Sequence, residues 1–442
     1  MMQAVIVAGG KGTRLQGLTQ DVVPKPMVNF LGKPILGHQI DQLRNNGITN
    51  VVLLVGHLGD TIGSYFGDGS GFGVHISYYH EKQPLGTAGA LACVLDRLED
   101  EFFFLLGDCI FNIDLRRMWR FHEERKATAT IFAHPNSHPI DSDLVLVDGD
   151  DRILSLDCNK NQRDYWYQNL VCGGVYIIPK SCCERIEAKP TDFEKDILIP
   201  MIQESGRVYA YRSSEYIKDI GTPERYHSAE NDILQGLAEK KSYAKPQKAI
   251  FIDRDGTVTR YKGLIYREED IELLPGVARA IKAVNGSEWM IVMVTNQPVV
   301  ARGLCDIEKV KRIHAKMETL LGQEGAYLND CLFCPHHPDK GYPEENPMYK
   351  MDCDCRKPKT GMIDQCVRKY NIDPKKSWMV GDTTVDIQTG IAAGMHTALV
   401  KTGMAGDDGK FDVKADFTGE NLSEVVEHIL QQKNTDNKPM GG

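Results

Sequence analysis

The sequence predicts two α/β domains in one chain, each built on a parallel sheet. Two segments begin alike, with an apolar strand that leads directly into a loop of Gly or Asp: AVIVAGGKG from Ala4 and KAIFIDRDG from Lys248. After each start, apolar strand-like runs alternate with helical patterns, which is the order of a parallel sheet covered by helices. A length of 442 residues leaves room for two or three such domains.

A polar, lysine-rich segment separates the two starts. This segment, QGLAEKKSYAKPQ at 235–247, is interrupted by Pro246 and is typical of a linker that follows a helix. We therefore predict a first domain at 1–235, a linker at 236–247 and a second domain at 248–432. The last ten residues, 433–442, show no apolar periodicity and are expected to be disordered.

Strand and helix patterns follow one another in both domains. The first domain has apolar runs at 51–55, 74–79 and 102–106 and a helical pattern at 86–98. The second has the strands KAIFID, MIVMVT and SWMVGD, with amphipathic segments at 275–284, 306–321 and 361–370. In such doubly wound sheets ligands bind at the carboxyl ends of the strands. The polar residues expected there are Asp108, Asp253, Thr295 and Asp382.

Composition excludes several classes of protein. Apolar residues make up 42% of the chain, and 52 Lys and Arg face 61 Asp and Glu for a net charge of −9. This acidic balance argues against a nucleic-acid partner. The apolar run at the N-terminus is too short for a secretion signal, and no stretch is long enough to span a membrane. We expect a cytoplasmic protein with no membrane partner, whose 12 Cys are reduced or metal-bound; the sequence leaves the oligomeric state open.

A glycine-rich loop follows the first strand. Gly9, Gly10 and Gly12 allow backbone N–H groups, with Thr13, to approach a phosphate, and Arg14 adds a positive charge. The spacing fits neither GxGxxG nor GxxxxGK[ST], and alone such a loop is as often an ordinary turn. Lys25 lies between two prolines, which stiffen the backbone and direct its cation.

Further motifs in the first domain resemble one enzyme family. PLGTAGAL at 84–91, LLGD ending at Asp108 and DIGTPERY from Asp219 occur in the order found in sugar-nucleotide pyrophosphorylases, which are nucleotidyltransferases acting on sugar 1-phosphates. The resemblance covers about residues 2–235 and implies a Rossmann-like fold. In this chemistry a sugar phosphate oxygen attacks the α-phosphorus of a nucleoside triphosphate and pyrophosphate leaves, so catalysis rests on cations and N–H donors around the phosphates.

The resemblance also assigns residues of the first domain to roles. It implies that the glycine loop and Arg14 hold the triphosphate, that Lys25 neutralises the reacting phosphates, and that Asp108 and Asp219 bind Mg²⁺. From the residues alone, the favoured interpretation of Asp219 is a helix cap before Gly-Thr-Pro-Glu. The resemblance further implies that Gly86, Thr87 and Gly89 approach the base or ribose of the nucleotide. It implies that Lys160, Gly173 and Gly174 lie at the sugar. The family often has Glu-Lys-Pro where this chain has DCNKNQ, so Lys160 is the remaining candidate for the sugar phosphate.

The second domain begins with a phosphatase signature. Asp253-Arg-Asp255-Gly-Thr ends a strand, so two carboxylates project into one crevice. With Thr295 and Asn296 in VTNQ, Lys357 in Arg356-Lys357-Pro358 and Asp382 in VGDTTVD, the segment resembles the haloacid dehalogenase superfamily.

That resemblance implies a covalent mechanism. Asp253 forms an aspartyl phosphate, and Asp255 protonates the leaving oxygen and then activates water. Mg²⁺ is held by Asp253, Asp382 and the backbone of Asp255, while Thr295 and Lys357 contact the transferred group. Asn296 is expected to bind the substrate. Asp386 either supports the metal site or starts a helix.

A cysteine and histidine cluster predicts a zinc site. Cys334, His336, Cys353 and Cys355 provide four N and S ligands within 22 residues, which suits tetrahedral, structural Zn²⁺. On spacing alone Cys331 or His337 can replace His336, and the resemblance favours the first four. Bound zinc would brace the loop that presents Arg356 and Lys357.

The zinc loop narrows the resemblance further. Together with TNQ and Ala301-Arg302-Gly303 it is similar to D-glycero-D-manno-heptose 1,7-bisphosphate phosphatases, over about residues 248–403, and histidinol-phosphate phosphatases share the pattern. Arg302 and Arg356 are candidates for binding the phosphate that is not hydrolysed; otherwise they form exposed salt bridges.

The two resemblances imply a bifunctional enzyme. Its phosphatase removes the 7-phosphate of a heptose bisphosphate, and its transferase adds GMP from GTP to the heptose 1-phosphate. The small-molecule partners are then sugar phosphates and a nucleoside triphosphate. The alternative is a transferase for another hexose 1-phosphate joined to a histidinol-phosphate-type phosphatase.

Overall fold

The protein is described by a computed structural model covering residues 2–9, 23–158 and 160–432. These residues form two units, which are described separately. The first unit comprises the described residues up to 134 together with 143–158 and 171–242. The second comprises 135–142, 160–170 and 243–432. Some sequence-based expectations concern residues outside the described part of the chain, namely Gly10, Gly12, Thr13, Arg14 and the tail 433–442.

The first unit is built on a large mixed sheet. Four strands form its parallel part in the order β6-β1-β4-β5. Apolar residues of β1, β4 and β6, such as Val5, Leu53 and Phe104, are completely buried, whereas β5 is only partly buried. The strands of this unit are β1 (Gln3–Val7), β2 (Asn29–Phe30), β3 (Lys33–Pro34), β4 (Asn50–Val55), β5 (His75–His80), β6 (Glu101–Leu106), β7 (Cys109–Asn112), β8 (Ala129–His134), β9 (Leu144–Val147), β10 (Ile153–Asp157), β11 (Val171–Pro179), β12 (Val208–Arg212) and β13 (Tyr216–Asp219).

Beyond β6 the direction of the sheet changes. The strand β11 pairs antiparallel with β6, β8 and β9, and β12 runs parallel to β8. The expectation of a wholly parallel sheet therefore holds for four strands and is corrected beyond them. Outside this sheet, β7 pairs antiparallel with β13 and β2 with β3.

Helices of the first unit pack against the sheet through apolar stripes. In α1, Leu36, Ile40 and Leu43 recur at helical spacing and enter the same core as Ala4 and Ile6 of β1. The described α-helices of this unit are α1 (Ile35–Asn45), α2 (Gly59–Phe66), α3 (Leu115–Glu124), α4 (Lys180–Cys183), α5 (Ile199–Ser205), α6 (Pro223–Leu234) and α7 (Leu237–Lys240). A π-helix at Phe193–Leu198 precedes α5, and α7 lies within the segment expected to be a linker.

The helical pattern at 86–98 does not form an α-helix. Two short 3₁₀ helices, Gly89–Cys93 and Leu95–Arg97, stand there instead. The reason is a close backbone approach: a Cβ on Gly89 would lie 2.0 Å from the carbonyl oxygen of Lys189. Contacts with a distant segment override the local pattern here.

The second unit contains a six-stranded sheet that is parallel throughout. Its order is β16-β15-β14-β17-β18-β19, as expected for a doubly wound domain. Its strands are β14 (Lys248–Ile252), β15 (Trp289–Asn296), β16 (Asp330–Cys334), β17 (Trp378–Gly381), β18 (His396–Val400) and β19 (Phe417–Gly419).

Alternating residues of the central strand β14 enter two different cores. Ile250 and Ile252 join one cluster with α8, α9 and α12, whereas Ala249 and Phe251 join another with α10. The helices of the second unit are α8 (Val277–Asn285), α9 (Ile307–Gln323), α10 (Gly361–Tyr370), α11 (Thr384–Ala392) and α12 (Leu422–Gln431). Helices thus cover both faces, and the predicted α/β fold class of the second unit is confirmed.

In the part of the chain that the structure describes, no helix combines the length and the apolar character needed to cross a lipid bilayer.

Candidate functional site

Three carboxylates converge at the carboxyl edge of the second sheet. Asp253 directly follows β14, Asp382 directly follows β17, and Asp386 lies in the first turn of α11. One ligand oxygen from each lies within 4.8 Å of the others. Because β14 and β17 are parallel neighbours, their ends meet at one edge, as the sequence predicts for Asp253 and Asp382.

Lys357 lies between two of these carboxylates. Its Nζ donates to Oδ1 of Asp386 at 2.6 Å and lies 3.0 Å from Oδ1 of Asp253. The lysine is 4% exposed, so water screens these charges little. Asn296 holds its backbone from both sides, accepting from Lys357 N and donating to Lys357 O, each at 3.0 Å. The structure therefore places Asn296 as the residue that positions Lys357.

Burial and mutual repulsion perturb this acidic cluster. Burial raises the pKa of Asp253 to about 6, with Asp386 and Asp255 adding repulsion against the attraction of Lys357. Burial and the charges of Asp253 and Asp386 raise the pKa of Asp382 to about 8. Burial opposes the charged form of Lys357, but the same carboxylates outweigh it and raise its pKa. One lysine thus faces three acidic side chains, so acidic groups outnumber basic groups in this cluster.

Two glycines make room for the Asp382 carboxylate. A Cβ on Gly256 would lie 2.2 Å from its Oδ2, and a Cβ on Gly403 would lie 2.1 Å from the same atom. Both glycines have positive φ, +81° and +70°, a region that other residues adopt only under strain. The carboxylate is held by the N–H of Met404, which donates to Oδ2 at 2.8 Å.

Asp255 is held by a buried arginine. Arg254 has no exposed surface, and its Nε and Nη2 donate to the two oxygens of Asp255 at 3.0 and 2.8 Å. Gln297 donates to Asp255 Oδ2 at 3.0 Å and to Oγ1 of Thr295 at 3.1 Å. His314, which packs behind Arg254 at 3.1 Å, is kept neutral because burial lowers its pKa well below the usual value.

Three thiols and one imidazole form a second cluster. The Sγ atoms of Cys334, Cys353 and Cys355 lie 3.2 to 3.4 Å apart. Nδ1 of His336 lies 3.4 Å from Cys355 Sγ and 3.7 Å from Cys334 Sγ. Hydrogen bonding with Cys334 lowers the pKa of the Cys355 thiol to about 5.

The alternative ligands Cys331 and His337 lie outside this group of four, which the structure brings together as the preferred set. Nδ1 of His337 accepts a 3.1 Å hydrogen bond from Asp339 N. Burial, followed by the charge of Arg356, lowers the pKa of His337 to about 4.

Among the residues that the structure describes, neither Arg302 nor Arg356 has an exposed salt-bridge partner. Arg356 donates from Nη1 to the carbonyl of His336 at 3.0 Å. The guanidinium carbon of Arg302 stands 4.4 Å from the centre of the Tyr342 ring, and its Nε is buried without a hydrogen-bond partner. Lys350 lies on the same ring, 5.0 Å from its centre.

In the first unit, two acidic residues each hold a cation. Lys25 Nζ donates to Asp108 Oδ2 at 2.7 Å, and Arg225 Nη1 donates to Asp219 Oδ2 at 2.6 Å. The two aspartates lie at adjacent strand ends, since Ile220 N donates to Asp108 O at 3.1 Å. Thr222, not Asp219, caps α6 through a bond from Arg225 N, so the capping alternative for Asp219 is wrong.

The glycines of the PLGTAGAL motif face another backbone segment. A Cβ on Gly86 would lie 2.4 Å from Thr191 O, and Gly86 has φ +75°. Thr87 Oγ1 accepts from Phe193 N at 2.7 Å. Close packing against this backbone segment explains why these residue types stand at these positions. That Gly86, Thr87 and Gly89 contact a nucleotide stays a prediction.

The predicted sugar site is only partly assembled. Gly173 and Gly174 lie in β11 at an irregularity of its pairing with β8, and Gly173 packs on Phe132. Lys160 is exposed, in a segment grouped with the second unit. Gly9 is described and lies two residues beyond the end of β1, whereas Gly10, Gly12, Thr13 and Arg14 lie outside the described residues.

Sequence reasoning missed or undervalued three residues at the candidate sites. It treated Arg254 as a spacer, left Asp386 as a weak candidate and did not consider Arg225. Arg254 and Asp386 are fully buried. In the sequence, the signal for each was that a charged residue stands close to an acidic motif.

Comparisons with known proteins match the two units separately. A family described as nucleotidyl transferase matches residues 3–236, and one described as HAD-hydrolase-like matches residues 354–425. Mannose-1-phosphate guanyltransferase beta-A of Xenopus laevis is 35% identical over 243 residues, 54% of this chain and 66% of that protein. The chain thus spans slightly less than two thirds of that relative.

Two further proteins are similar to parts of this chain. D-glycero-beta-D-manno-heptose-1,7-bisphosphate 7-phosphatase of Haemophilus ducreyi is 36% identical over 185 residues, 41% of this chain and 98% of that protein. The crystal structure of HddC from Yersinia pseudotuberculosis complexed with GMP-PN matches 53% of this chain and all of that chain, with 27% identity and a TM-score of 0.46.

The predicted pairing of two enzyme families is confirmed by the family match over 3–236 and the relative matched over nearly its whole length. The chain belongs to the nucleotidyl transferase family and joins that domain to a HAD-type phosphatase.

Proposed function

We propose that the second unit removes the 7-phosphate of a D-glycero-D-manno-heptose 1,7-bisphosphate and that the first transfers GMP from GTP to the resulting heptose 1-phosphate. The observation that carries this proposal is the joining of the two families in one chain. A phosphatase related to a heptose bisphosphatase yields a sugar 1-phosphate, and sugar 1-phosphates are the substrate class of the relatives of the first unit. Histidinol, the alternative product, is not a transferase substrate.

In the second unit Asp253 is the proposed nucleophile. One of its oxygens attacks the phosphorus, the sugar oxygen leaves, and an aspartyl phosphate results. Asp255 protonates the leaving oxygen and then takes a proton from the water that hydrolyses the intermediate. Lys357 and Thr295 stabilise the charge on the transferred phosphoryl group. The 3.0 Å contact between Lys357 and Asp253 supports this role.

The acidic cluster fits a magnesium ion. Asp253 and Asp382 present oxygens in one group, and the burial and mutual repulsion that raise their pKa values would be offset by a cation. Mg²⁺ prefers carboxylate oxygens, and we propose these two residues with the backbone of Asp255 as its ligands. The ion would offset the repulsion between the nucleophile and the substrate phosphate.

The cysteine cluster fits a structural zinc ion. Three thiols and one imidazole converge from Cys334, His336, Cys353 and Cys355, and tetrahedral zinc places sulfur ligands about 3.8 Å apart. The measured sulfur distances of 3.2 to 3.4 Å therefore need only a small expansion. All four positions are filled by protein, so the ion would brace the loop carrying Arg356 and Lys357 and take no part in catalysis.

In the first unit the sugar phosphate oxygen would attack the α-phosphorus of GTP and displace pyrophosphate. No strong base is needed, because the attacking phosphate oxygen is already ionised. Lys25 would neutralise the reacting phosphates. Asp108 and Asp219 would bind Mg²⁺, for which each must give up part of its contact with Lys25 or Arg225. The glycine loop with Arg14 would hold the triphosphate, and Lys160, Gly173 and Gly174 the sugar phosphate.

A second candidate is transfer to mannose 1-phosphate. Several relatives of the first unit are named mannose-1-phosphate guanylyltransferases, at 33% to 35% identity. A panel of sugar 1-phosphates distinguishes the two acceptors.

The test supplies both anomers of heptose 1,7-bisphosphate with Mg²⁺ and each nucleoside triphosphate, and follows orthophosphate, pyrophosphate and sugar nucleotide. We expect all three products with GTP. Asp253→Asn should release no orthophosphate from the bisphosphate but still form GDP-heptose from heptose 1-phosphate, whereas Asp412→Asn, at an exposed position, should behave like the wild type. Hydrolysis of histidinol phosphate alone would refute the proposal.

A further inference from the structure

Arg254 is fully buried, although it stands between the two aspartates of the phosphatase motif. Its guanidinium makes four hydrogen bonds. Nε and Nη2 donate to the two oxygens of Asp255, Nη2 also donates to Oε1 of Gln297 at 2.8 Å, and Nη1 contacts His314. The planar fork of an arginine matches both oxygens of a carboxylate at once. Arg254 therefore fixes the plane of the Asp255 carboxylate.

His314 holds the other side of the guanidinium from helix α9. An arginine has only donors, so a ring nitrogen that bonds to it must accept. Nε2 of His314 lies 3.1 Å from Nη1 of Arg254, and the imidazole is therefore neutral, with its proton on Nδ1. Burial, followed by the charge of Arg254, lowers the pKa of His314 well below its usual value. His314 thus fixes the arginine without competing with it for Asp255.

The two oxygens of Asp255 differ in how completely they are occupied. Oδ2 accepts from Arg254 Nη2 at 2.8 Å and from Gln297 Nε2 at 3.0 Å, which uses both of its lone pairs. Oδ1 accepts from Arg254 Nε at 3.0 Å and lies 3.3 Å from Oγ1 of Thr259. The Thr259 hydroxyl has one proton and is equally close, at 3.3 Å, to the carbonyl of Arg254. When it donates to that carbonyl, one lone pair of Oδ1 is free.

Gln297 keeps Oδ2 the less available oxygen. Its Oε1 accepts from Arg254, and its Nε2 donates to Thr295 Oγ1 at 3.1 Å as well as to Asp255. Both ends of the amide are therefore engaged, and Gln297 itself is buried. A rotation that released Oδ2 would leave several buried polar atoms unpaired, which is costly.

Building on the proposed function, we propose that Arg254 and His314 are positioning residues for Asp255, which they hold so that Oδ1 is the oxygen that exchanges the proton. In the first step the proton on Oδ1 goes to the sugar oxygen as the bond between that oxygen and phosphorus breaks. In the second step water attacks the phosphorus, the bond to Asp253 breaks, and a proton of the water returns to Oδ1. Oδ2 stays bound to Arg254 and Gln297, so the carboxyl keeps one orientation through both steps.

The test varies the leaving group, because a poor leaving group needs the proton and a good one does not. A sugar alkoxide leaves slowly unless it is protonated, whereas p-nitrophenolate leaves as a stable anion. We measure kcat/KM of the full chain with Mg²⁺ for heptose 1,7-bisphosphate and for p-nitrophenyl phosphate, since this constant covers the steps up to departure of the leaving group. Arg254→Lys keeps the charge but loses the planar fork. We expect a loss of about 10- to 100-fold for the bisphosphate and of less than about threefold for the aryl ester.

His314 provides a second pair of variants, which leaves Arg254 and Asp255 in place. His314→Phe removes the acceptor and keeps a ring, and we expect a loss of about tenfold that is again confined to the bisphosphate. His314→Gln offers an amide oxygen to Arg254 as acceptor and should recover most of this loss. Thermal unfolding of each variant reports its stability separately from these rates.

The control is Arg312→Lys, an arginine of the same helix whose side chain is 56% exposed; it should behave like the wild type with both substrates. Equal or absent losses for the two substrates in Arg254→Lys, or equal losses in His314→Gln and His314→Phe, would overturn the positioning role. If the wild type hydrolyses the bisphosphate while either result is seen, only this inference fails. If the wild type releases no orthophosphate from heptose 1,7-bisphosphate, the proposed phosphatase function fails with it.

Discussion

Lys357 donates a 2.6 Å hydrogen bond to Asp386, and both side chains are buried. Asp386 also accepts from Thr383 N and Oγ1 through its other oxygen, as the capping box of α11. One carboxylate thus anchors the helix and holds the lysine next to Asp253. Its two roles can be separated, since an amide retains an acceptor for the cap but loses the charge.

Asp386→Asn should lower phosphate release while preserving the fold. Without the second anion, Lys357 is held less firmly beside Asp253, and we expect kcat to fall by about 10- to 100-fold, as for loss of an oriented charge-stabilising group. Orthophosphate release from heptose 1,7-bisphosphate gives kcat and KM, and thermal unfolding reports stability.

The control for this variant is Asp408→Asn. Asp408 binds the start of the same helix by accepting from Thr384 N at 2.7 Å and Oγ1 at 2.9 Å. It should lose stability with little change in kcat. Equal losses of kcat in both variants would show that Asp386 acts only as a helix anchor.

Gly256→Ala should strongly lower the rate of phosphate release. The added Cβ would lie 2.2 Å from Asp382 Oδ2, so the carboxylate must move, and a displacement of about 1 Å costs roughly 100-fold in rate. Gly263→Ala is the matched comparison, because Gly263 has a similar φ of +74° but no atom within 4 Å of its Cβ position. Both variants carry the same backbone strain of about 1–2 kcal/mol, and only Gly256→Ala should lose phosphatase activity. Activity retained by Gly256→Ala would contradict a fixed role for Asp382.

The sequence was sufficient to place the strand-end acids of the second unit. An apolar run followed by Asp identifies both the strand and its end, and a parallel sheet brings Asp253 and Asp382 to one edge. The zinc-site candidates were likewise close in sequence, but spacing left Cys331 and His337 open as substitutes for His336. The structure brings together the four residues that the resemblance favoured.

What the sequence could not supply were contacts between distant segments. The 86–98 pattern is helical by its residues, but Gly89 is pressed against Lys189, which no local pattern reveals. The strand β11 reads as an ordinary buried strand, and its antiparallel direction depends on the return path of the chain. Arg254 also gives no local sign that its partners include His314, sixty residues later.

The acidic cluster predicts how stability depends on pH and magnesium. Without a cation, burial raises the pKa of Asp382 to about 8 and that of Asp253 to about 6, above the unfolded value of about 4. The folded state therefore binds more protons than the unfolded state between these values, and its stability should fall as pH rises from about 4 to 8.

Magnesium should reverse this trend, because the ion binds the ionised carboxylates. Thermal unfolding in EDTA and in Mg²⁺ should show a larger stabilisation by Mg²⁺ at pH 8 than at pH 5.5, and binding should release protons into the buffer. In Asp382→Asn the pH-dependent gain should largely disappear. An equal Mg²⁺ effect at both pH values would contradict proton-linked binding at this cluster.

The cysteine cluster predicts about one zinc ion per chain, removable by substitution of any one ligand. Cys353→Ser should lower the zinc content measured by mass spectrometry, and it should lower the unfolding temperature, because metal binding to a closed site contributes directly to folding. Phosphate release should fall as well, since the loop that carries Lys357 follows Cys355 directly. Cys331→Ser serves as the control, because Cys331 lies outside the group of four, and it should retain zinc. Loss of zinc in Cys331→Ser with retention in Cys353→Ser would reassign the ligands.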